Sequence, residues 1–223
     1  PTRQQMKSGE PKKKFLMISY IIHMIERTLI MAPEIGFCFK EHKMTLKYKD
    51  ELVRSMEFLA EDPRTIFIGQ SVAYSGNAIY NTLANIPLDK KLETPVFEDV
   101  QMGLSIGLAL EGYVPVTCYP RFDFVLLASN QLVNHLDKIG HMSKNKMLPK
   151  VIIRTSVGAK TPLDGGVQHT QDYTNEFRSM LKNVNVVFLE EPEEIYSTYK
   201  HALEREDGAS TLVVEKGDFY NEK

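Results

Sequence analysis

Residues 94–119 read TPVFEDVQMGLSIGLALEGYVPVTCY, and this stretch decides the fold. Pro95 disfavours helix in the residue before it, so Thr94-Pro95-Val96-Phe97 is extended. Glu98 then opens a helix in which Gly103, Ser105, Gly107 and Ala109 are small. Each glycine costs about 1 kcal/mol of helix propensity, so small residues at this density mark close approach of a neighbouring helix or strand. Gly112 ends the helix, and Pro115-Val116-Thr117-Cys118-Tyr119 is the next strand. Extended segment, helix and buried strand follow one another as in an α/β layer fold.

The same alternation continues on both sides. Upstream, Leu46, Leu52, Val53, Met56, Leu59 and Ala60 share one helical face, and Asp62-Pro63 closes that helix. Thr65-Ile66-Phe67-Ile68 is a buried strand entering a loop at Gly69, with a short helix around Ile79 to Leu83 beyond it. Downstream the pattern gives a helix from about Leu126 to Ile139, strands at Val151–Arg154 and Val184–Leu189, a helix from Pro192 to Glu204, and a last strand at Thr211–Glu215. The expected architecture is therefore α/β, three layers, with a mostly parallel sheet and helices on both faces. It forms one domain over residues 44–223. Residues 1–43 are set apart as a leader. Lys12-Lys13-Lys14 before Phe15–Ile22 imitates a signal peptide, but His23, Glu26 and Arg27 interrupt the apolar run and no small-x-small cleavage site follows. The stretch reads as an amphipathic leader, or as residues preceding a start at Met44.

Composition narrows the function classes. In the 223 residues, 27 basic side chains stand against 29 acidic ones, a net charge of -2, so no basic surplus points to nucleic acid. Cys38 and Cys118 are too few for a disulfide framework and lack metal-site spacing. No apolar run reaches the roughly 18 residues of a membrane span. The expected location is the cytoplasm, or the mitochondrial matrix of a eukaryote. The phosphate loop GxxxxGK[ST], GxGxxG after the first strand, GxSxG, HExxH and paired CxxC are all missing.

Ligands of an open parallel sheet bind outside the carboxyl ends of its strands. That selects the loops Gly69–Asn77, Glu93–Asp99, Tyr119–Phe124 and Thr155–Asp172. Residue by residue, their chemistry stays open. Glu98 is either a carboxylate at work or an acid stabilised by the helix dipole. His169 is a functional or a solvated loop histidine, and Phe122-Asp123-Phe124 is core packing or a platform for a flat ligand.

Taken in order, the loops resemble one family. Ile68-Gly69-Gln70-Ser71-Val72-Ala73-Tyr74-Ser75-Gly76 is similar to the first strand-loop of beta subunits of 2-oxoacid dehydrogenases of the pyruvate, branched-chain and acetoin types. Thr94–Glu98 with Gly103, Gly107, Ala109, Gly112 and Pro115 resembles their TPxxE…G…G…A…G…P pattern. Phe122-Asp123-Phe124 with Asn130-Gln131-Leu132-Val133-Asn134 resembles F-x-F…D-Q-x-x-N, Asn130 replacing Asp. Pro149–Arg154 and the loop Gly165–Gln171 resemble P-x-V-I-R and G-x-x-x-H-S-Q. The likeness runs from about Ile66 to Glu215.

The resemblance implies a transketolase-like pyrimidine-binding domain using thiamine diphosphate, with Mg²⁺ and the diphosphate held by an alpha-like partner subunit. The partner's GDG…N metal motif is missing here, so this chain is expected to carry no metal ligand and to form half of an active site in a hetero-oligomer. By position, Glu98 matches the glutamate that hydrogen-bonds the aminopyrimidine and promotes loss of the thiazolium C2 proton. Phe124 matches the aromatic residue packing on that ring, Val96 and Pro120 match its neighbouring contacts, and His169 matches the active-site histidine near the substrate. Gln70 stands where the family usually has a proton-relay glutamate, and an amide hydrogen-bonds without ionising. The implied activity is decarboxylation of a pyruvate-like 2-oxo acid with acyl transfer to lipoamide, a lipoyl acyltransferase being a further partner. The family's C-terminal transketolase-type domain is expected to be absent. A pyrimidine-domain subunit of a split transketolase or decarboxylase is the catalytic alternative, and a non-catalytic interaction subunit the other.

Overall fold

A computed structural model describes residues 46–161 and 164–221. The leader 1–43 lies outside the described residues. Six strands among those described make one all-parallel sheet: β1 Thr65–Gly69, β2 Lys91–Glu93, β3 Val114–Tyr119, β4 Ile152–Val157, β5 Asn185–Phe188 and β6 Thr211–Lys216. Their spatial order is β2-β1-β3-β4-β6-β5. The chain leaves β1 towards one edge to form β2, then crosses back over β1 to form β3. Connections therefore depart in opposite directions from β1 and β3, which opens a crevice at their carboxyl ends.

Helices cover both faces. On one side α1 (Tyr48–Glu61), α2 (Ala78–Leu83) and α7 (Pro192–Glu204) pack with Phe67, Val116, Cys118, Ile152 and Val213 of the sheet. On the other, α3 (Glu98–Leu110) and α6 (Thr174–Met180) pack with Tyr119, Ile153, Leu212 and Val214. Alternate residues of one strand feed opposite layers, as the two-residue repeat of an extended chain requires. The three-layer expectation thus holds.

Several local expectations need correction. The helix expected from Leu126 to Ile139 is replaced by α4 (Phe122–Val125), a 3-10 turn at Leu126–Ala128, a π-helical turn at Asn130–Leu136 and α5 (Ile139–Met142). The Asp137 N–H reaches back five residues to Leu132 at 3.0 Å, and the Leu132–Leu136 spacing suits either pitch. β2 precedes the extended segment 94–97, and its Lys-Leu-Glu sequence shows no apolar run. β4 continues three residues past Arg154, and α6 follows the fourth loop, started by Asp172, whose carboxylate accepts from the Thr174 N–H at 2.9 Å.

The last of these strands carries a charge into the core. Arg154 on β4 is fully buried and forks onto Glu215 of β6, at 2.7 and 3.0 Å. The hydroxyls of Tyr199 and Tyr220 also donate to Glu215, so α7 and the C-terminal 3-10 turn are tied to the sheet through one carboxylate. Cys118 lies beside this network, and burial pushes its thiol up to about 12. It is an inert core residue rather than a nucleophile. Deleting one partner of a buried ion pair strands the other, a loss of about 3–5 kcal/mol. Glu215→Ala is accordingly expected to lower stability by that amount, read from urea unfolding midpoints. A loss under about 1 kcal/mol would show that the pair does not organise the core.

Candidate functional site

The crevice is a cleft of about 570 Å³ that opens at the carboxyl ends of β1 and β3. Gln70 enters from the β1 loop, Val96 and Glu98 from the segment after β2, Pro120 and Phe124 from the segment after β3, and His169 from the loop after β4. All six residues singled out in the sequence meet there, from four different loops. Ser71, Asn77, Arg121 and Leu127 also line it and had not been singled out.

The backbone around the cleft is braced. Glu98 is the first residue of α3, and two side chains fix that turn to the sheet. Gln101, one turn on and buried, donates from Nε2 to Thr117 Oγ1 at 2.8 Å, to the Cys118 carbonyl at 3.1 Å and to the Ile68 carbonyl at 3.3 Å. The Tyr119 hydroxyl donates to the Glu98 carbonyl at 3.2 Å, and burial raises that phenol's pKa so that it stays a donor. The Glu98 carboxylate itself is half-buried and accepts no hydrogen bond among the described residues. Its backbone is fixed, and its carboxylate is free to accept.

The β1 loop is folded by another carboxylate. The N–H groups of Ser71, Val72 and Ala73 converge on Glu93 at 2.5, 2.9 and 2.8 Å, with Ser71 at a φ of 56°. Successive N–H groups turned inward form an anion-binding concavity, and here the chain fills it with its own side chain. Asn77 caps α2, its Oδ1 accepting from the Tyr80 N–H at 3.1 Å, while its Nδ2 donates to the Gln70 carbonyl at 3.2 Å. The amide of Gln70 is thereby presented to the cleft from a fixed turn.

On the far wall, Phe124 and His169 meet edge to face with ring centroids 5.5 Å apart. The His169 loop is self-bonded: Asp164 accepts from the Gly166 N–H at 2.8 Å, and the Gly166 carbonyl accepts from the His169 N–H at 2.9 Å. Gly158, at the end of β4, lets this loop come down. A Cβ there would collide with the His169 carbonyl oxygen and lie 2.9 Å from Arg121 Cδ.

A flat heterocycle fits this donor set. Phe124, Val96, Pro120 and Leu127 offer apolar walls, and Glu98 and Gln70 offer hydrogen-bonding groups at one side. Among the described residues, no group of three or more His, Cys, Asp or Glu side chains converges to hold a metal ion. No helix among them is long and apolar enough to cross a membrane. Around the mouth, Val96, Phe97, Val100, Leu104 and Leu127 are 40–61% exposed or, for Val100, 64%.

A family profile described as transketolase, pyrimidine binding domain, matches residues 51–221. Curated relatives include the 3-methyl-2-oxobutanoate dehydrogenase subunit beta of Mycobacterium tuberculosis, 29% identical over 151 residues that cover 65% of this chain and 42% of that protein. The pyruvate dehydrogenase E1 component subunit beta-4, chloroplastic, of Oryza sativa subsp. japonica is 30% identical over 128 residues, covering 56% and 32%. The 2-oxoisovalerate dehydrogenase subunit beta of Bacillus subtilis is 24% identical over 166 residues, covering 73% and 50%. The chain thus matches half or less of the length of these relatives. Among solved structures, a split gene transketolase described as an inactive beta4 tetramer is similar in fold, with a TM-score of 0.59 and 15% identity over 77% of this chain and 52% of that one.

The close approach at Gly158 gives a test of how the His169 wall is built. Gly158→Ala is expected to destabilise the chain by about 1–3 kcal/mol, because the new methyl has no space to enter. It should also shift the His169 imidazole signals in a histidine-resolved NMR spectrum. Unchanged His169 signals with unchanged stability would show that the loop does not rest on this glycine.

Proposed function

The chain belongs to the transketolase pyrimidine-binding domain family, and from that premise we propose that it is the beta-like, pyrimidine-holding subunit of a thiamine diphosphate enzyme that decarboxylates a 2-oxo acid and passes the acyl group to lipoamide. One observation carries the proposal: Glu98, whose backbone is braced and whose carboxylate accepts no hydrogen bond from the described residues, lines one cleft with an aromatic ring and an imidazole at the switch point of the sheet. The names of the relatives, which are beta subunits of 2-oxoacid dehydrogenases, support the substrate class.

In this proposal Phe124, Val96 and Leu127 grip the aminopyrimidine face, and Gln70 and Glu98 address its polar edge. Thiamine diphosphate supplies the electron sink for breaking a carbon–carbon bond next to a carbonyl. Glu98 would share a proton with a nitrogen of the aminopyrimidine. His169, on its self-bonded loop, stands ready to exchange a proton with the substrate, and the apolar walls exclude water from the reacting side. Glu98→Gln is expected to keep the fold and to slow exchange of the cofactor's C2 proton at least about tenfold in the assembled enzyme, since an amide cannot share that proton. Exchange at the wild-type rate would remove Glu98 from the role.

The diphosphate and Mg²⁺ belong, in this proposal, to an alpha-like partner subunit. Support comes from the exposed apolar face of α3, where Val100 and Leu104 lie four residues apart and Phe97 precedes them. Gly107 on the same helix is exposed, and a Cβ there meets nothing within 4 Å. Gly107→Ala is therefore expected to stabilise the isolated chain by about 0.5–1 kcal/mol through helix propensity. If α3 packs closely on the partner, the same methyl should weaken assembly, measured by calorimetric titration with thiamine diphosphate and Mg²⁺ present. Tight metal-dependent cofactor binding by the isolated chain would overturn the half-site proposal.

A further inference from the structure

Arg121 occupies the cleft without a counter-charge. It follows Pro120 directly and caps α4, its carbonyl accepting from the Phe124 N–H at 3.1 Å, so its backbone is fixed between two residues of the cleft wall. Its stem lies against Gly158, where the His169 carbonyl also comes down, which sets the side chain next to the imidazole-bearing loop. The side chain is half-buried. Nη1 donates to the Pro120 carbonyl at 2.7 Å, and among the described residues the guanidinium has no carboxylate within ion-pair distance. It is the one Lys or Arg lining the cleft.

A guanidinium carries five N–H donors in a planar fork that matches carboxylate and phosphate oxygens, and removing it from water without an anion is costly. Arg64 is paired with Asp62 and Arg205 with Asp207, and among the described residues Arg121 and the exposed Arg178 are the arginines without an ion pair. Arg121 lines the cleft, so its anion comes from outside the chain. The reacting carboxylate is a poor candidate. Its charge disperses as CO₂ departs, and a cation fixed on it would favour the ground state over the transition state. A second anion, remote from the bond that breaks, gains the full charge-assisted contact without that penalty.

We propose that Arg121 is a specificity-determining residue that receives a second anionic group of the substrate, a distal carboxylate or a phosphate monoester. The donor is then a dianionic 2-oxo acid or a phosphorylated keto compound rather than pyruvate. This inference rests on the cleft being the substrate site of the proposed enzyme. It narrows the substrate class that the sequence had left as pyruvate-like.

Two measurements test it. In the enzyme assembled with its partner and cofactor, phenylglyoxal modification of Arg121 is followed by peptide mass spectrometry with 2-oxoglutarate, fructose 6-phosphate or pyruvate present at equal concentration. Stronger protection by 2-oxoglutarate assigns a distal carboxylate, and stronger protection by fructose 6-phosphate assigns a phosphate. Equal or better protection by pyruvate overturns the inference. In the enzyme assembled with its partner, Arg121→Gln should cut kcat/KM for the protecting compound about 10–100-fold, with a several-fold smaller loss on pyruvate and partial recovery in Arg121→Lys. A loss equal on both would mark a structural role and overturn it. Failure of the functional proposal is separate: it would show as C2 exchange insensitive to Glu98→Gln, whatever the Arg121 variants do.

Discussion

The site depends on the bond set of one buried amide. Gln101 sits where α3 crosses the carboxyl ends of β1 and β3, and its Nε2 reaches acceptors on both strands at 2.8–3.3 Å. A buried amide that lost these partners would cost about 1–3 kcal/mol, so the register of α3 against the sheet is strongly determined. Glu98 lies three residues earlier on the same helix, on the turn that the Tyr119 hydroxyl also holds. The small residues of the helix do not all share in this seating, since a Cβ on Gly107 would meet nothing within 4 Å and one on Gly103 nothing nearer than 3.8 Å. Ser105 is buried and its hydroxyl returns to the Gln101 carbonyl at 2.8 Å, which closes the polar chain within the helix.

The opposite end of the sheet is finished in a different manner. There Asp137 is buried and takes the N–H groups of Lys182, Asn183 and Val184 at 2.8, 2.7 and 3.1 Å, fixing the entry to β5. Lys150 donates to the carbonyls of Leu203 and Arg205 at 2.9 and 2.5 Å, where α7 ends and leaves carbonyls without helical partners. Burial lowers the pKa of this ammonium, which nonetheless gains the negative end of the helix dipole. At the amino-terminal ends of β4 and β5, side chains of the chain itself thus take up the backbone groups beside a second cleft of about 530 Å³. The carboxyl ends remain open around the cleft.

Much of this was legible in the sequence because apolar periodicity reports burial. β3, β4 and β6 are buried on both faces and read as apolar runs, and α1 and α7 show a single apolar stripe. β2 was not legible, since an edge strand of Lys, Leu and Glu buries too little to leave a pattern. α6 has seven residues, too few for the 3.6-residue repeat to register, and its start is set by Asp172 rather than by an apolar stripe. The π turn escaped because leucines four apart do not specify pitch. The six cleft residues became visible through motif order, whereas Arg121 carried no such signal. Its role emerges only when Gly158 and the His169 loop are brought beside it in space.

Charges in this protein divide into two sets. Glu93, Asp137 and Glu215 each accept two or more hydrogen bonds from the chain, and each ties together segments distant in sequence. These carboxylates are saturated and serve the fold. Glu98 and Arg121 are opposite in sign and line the same cleft, yet they do not form an ion pair. Each backbone is held separately: one is clamped by Gln101 and Tyr119, and the other is fixed at the cap of α4 with its stem against Gly158. Two charges lining one cleft are thus left without a charged partner from the chain. Natural proteins relax rules of polar satisfaction where function requires it, and the energy forgone in the free chain becomes available to a ligand that supplies the missing partners.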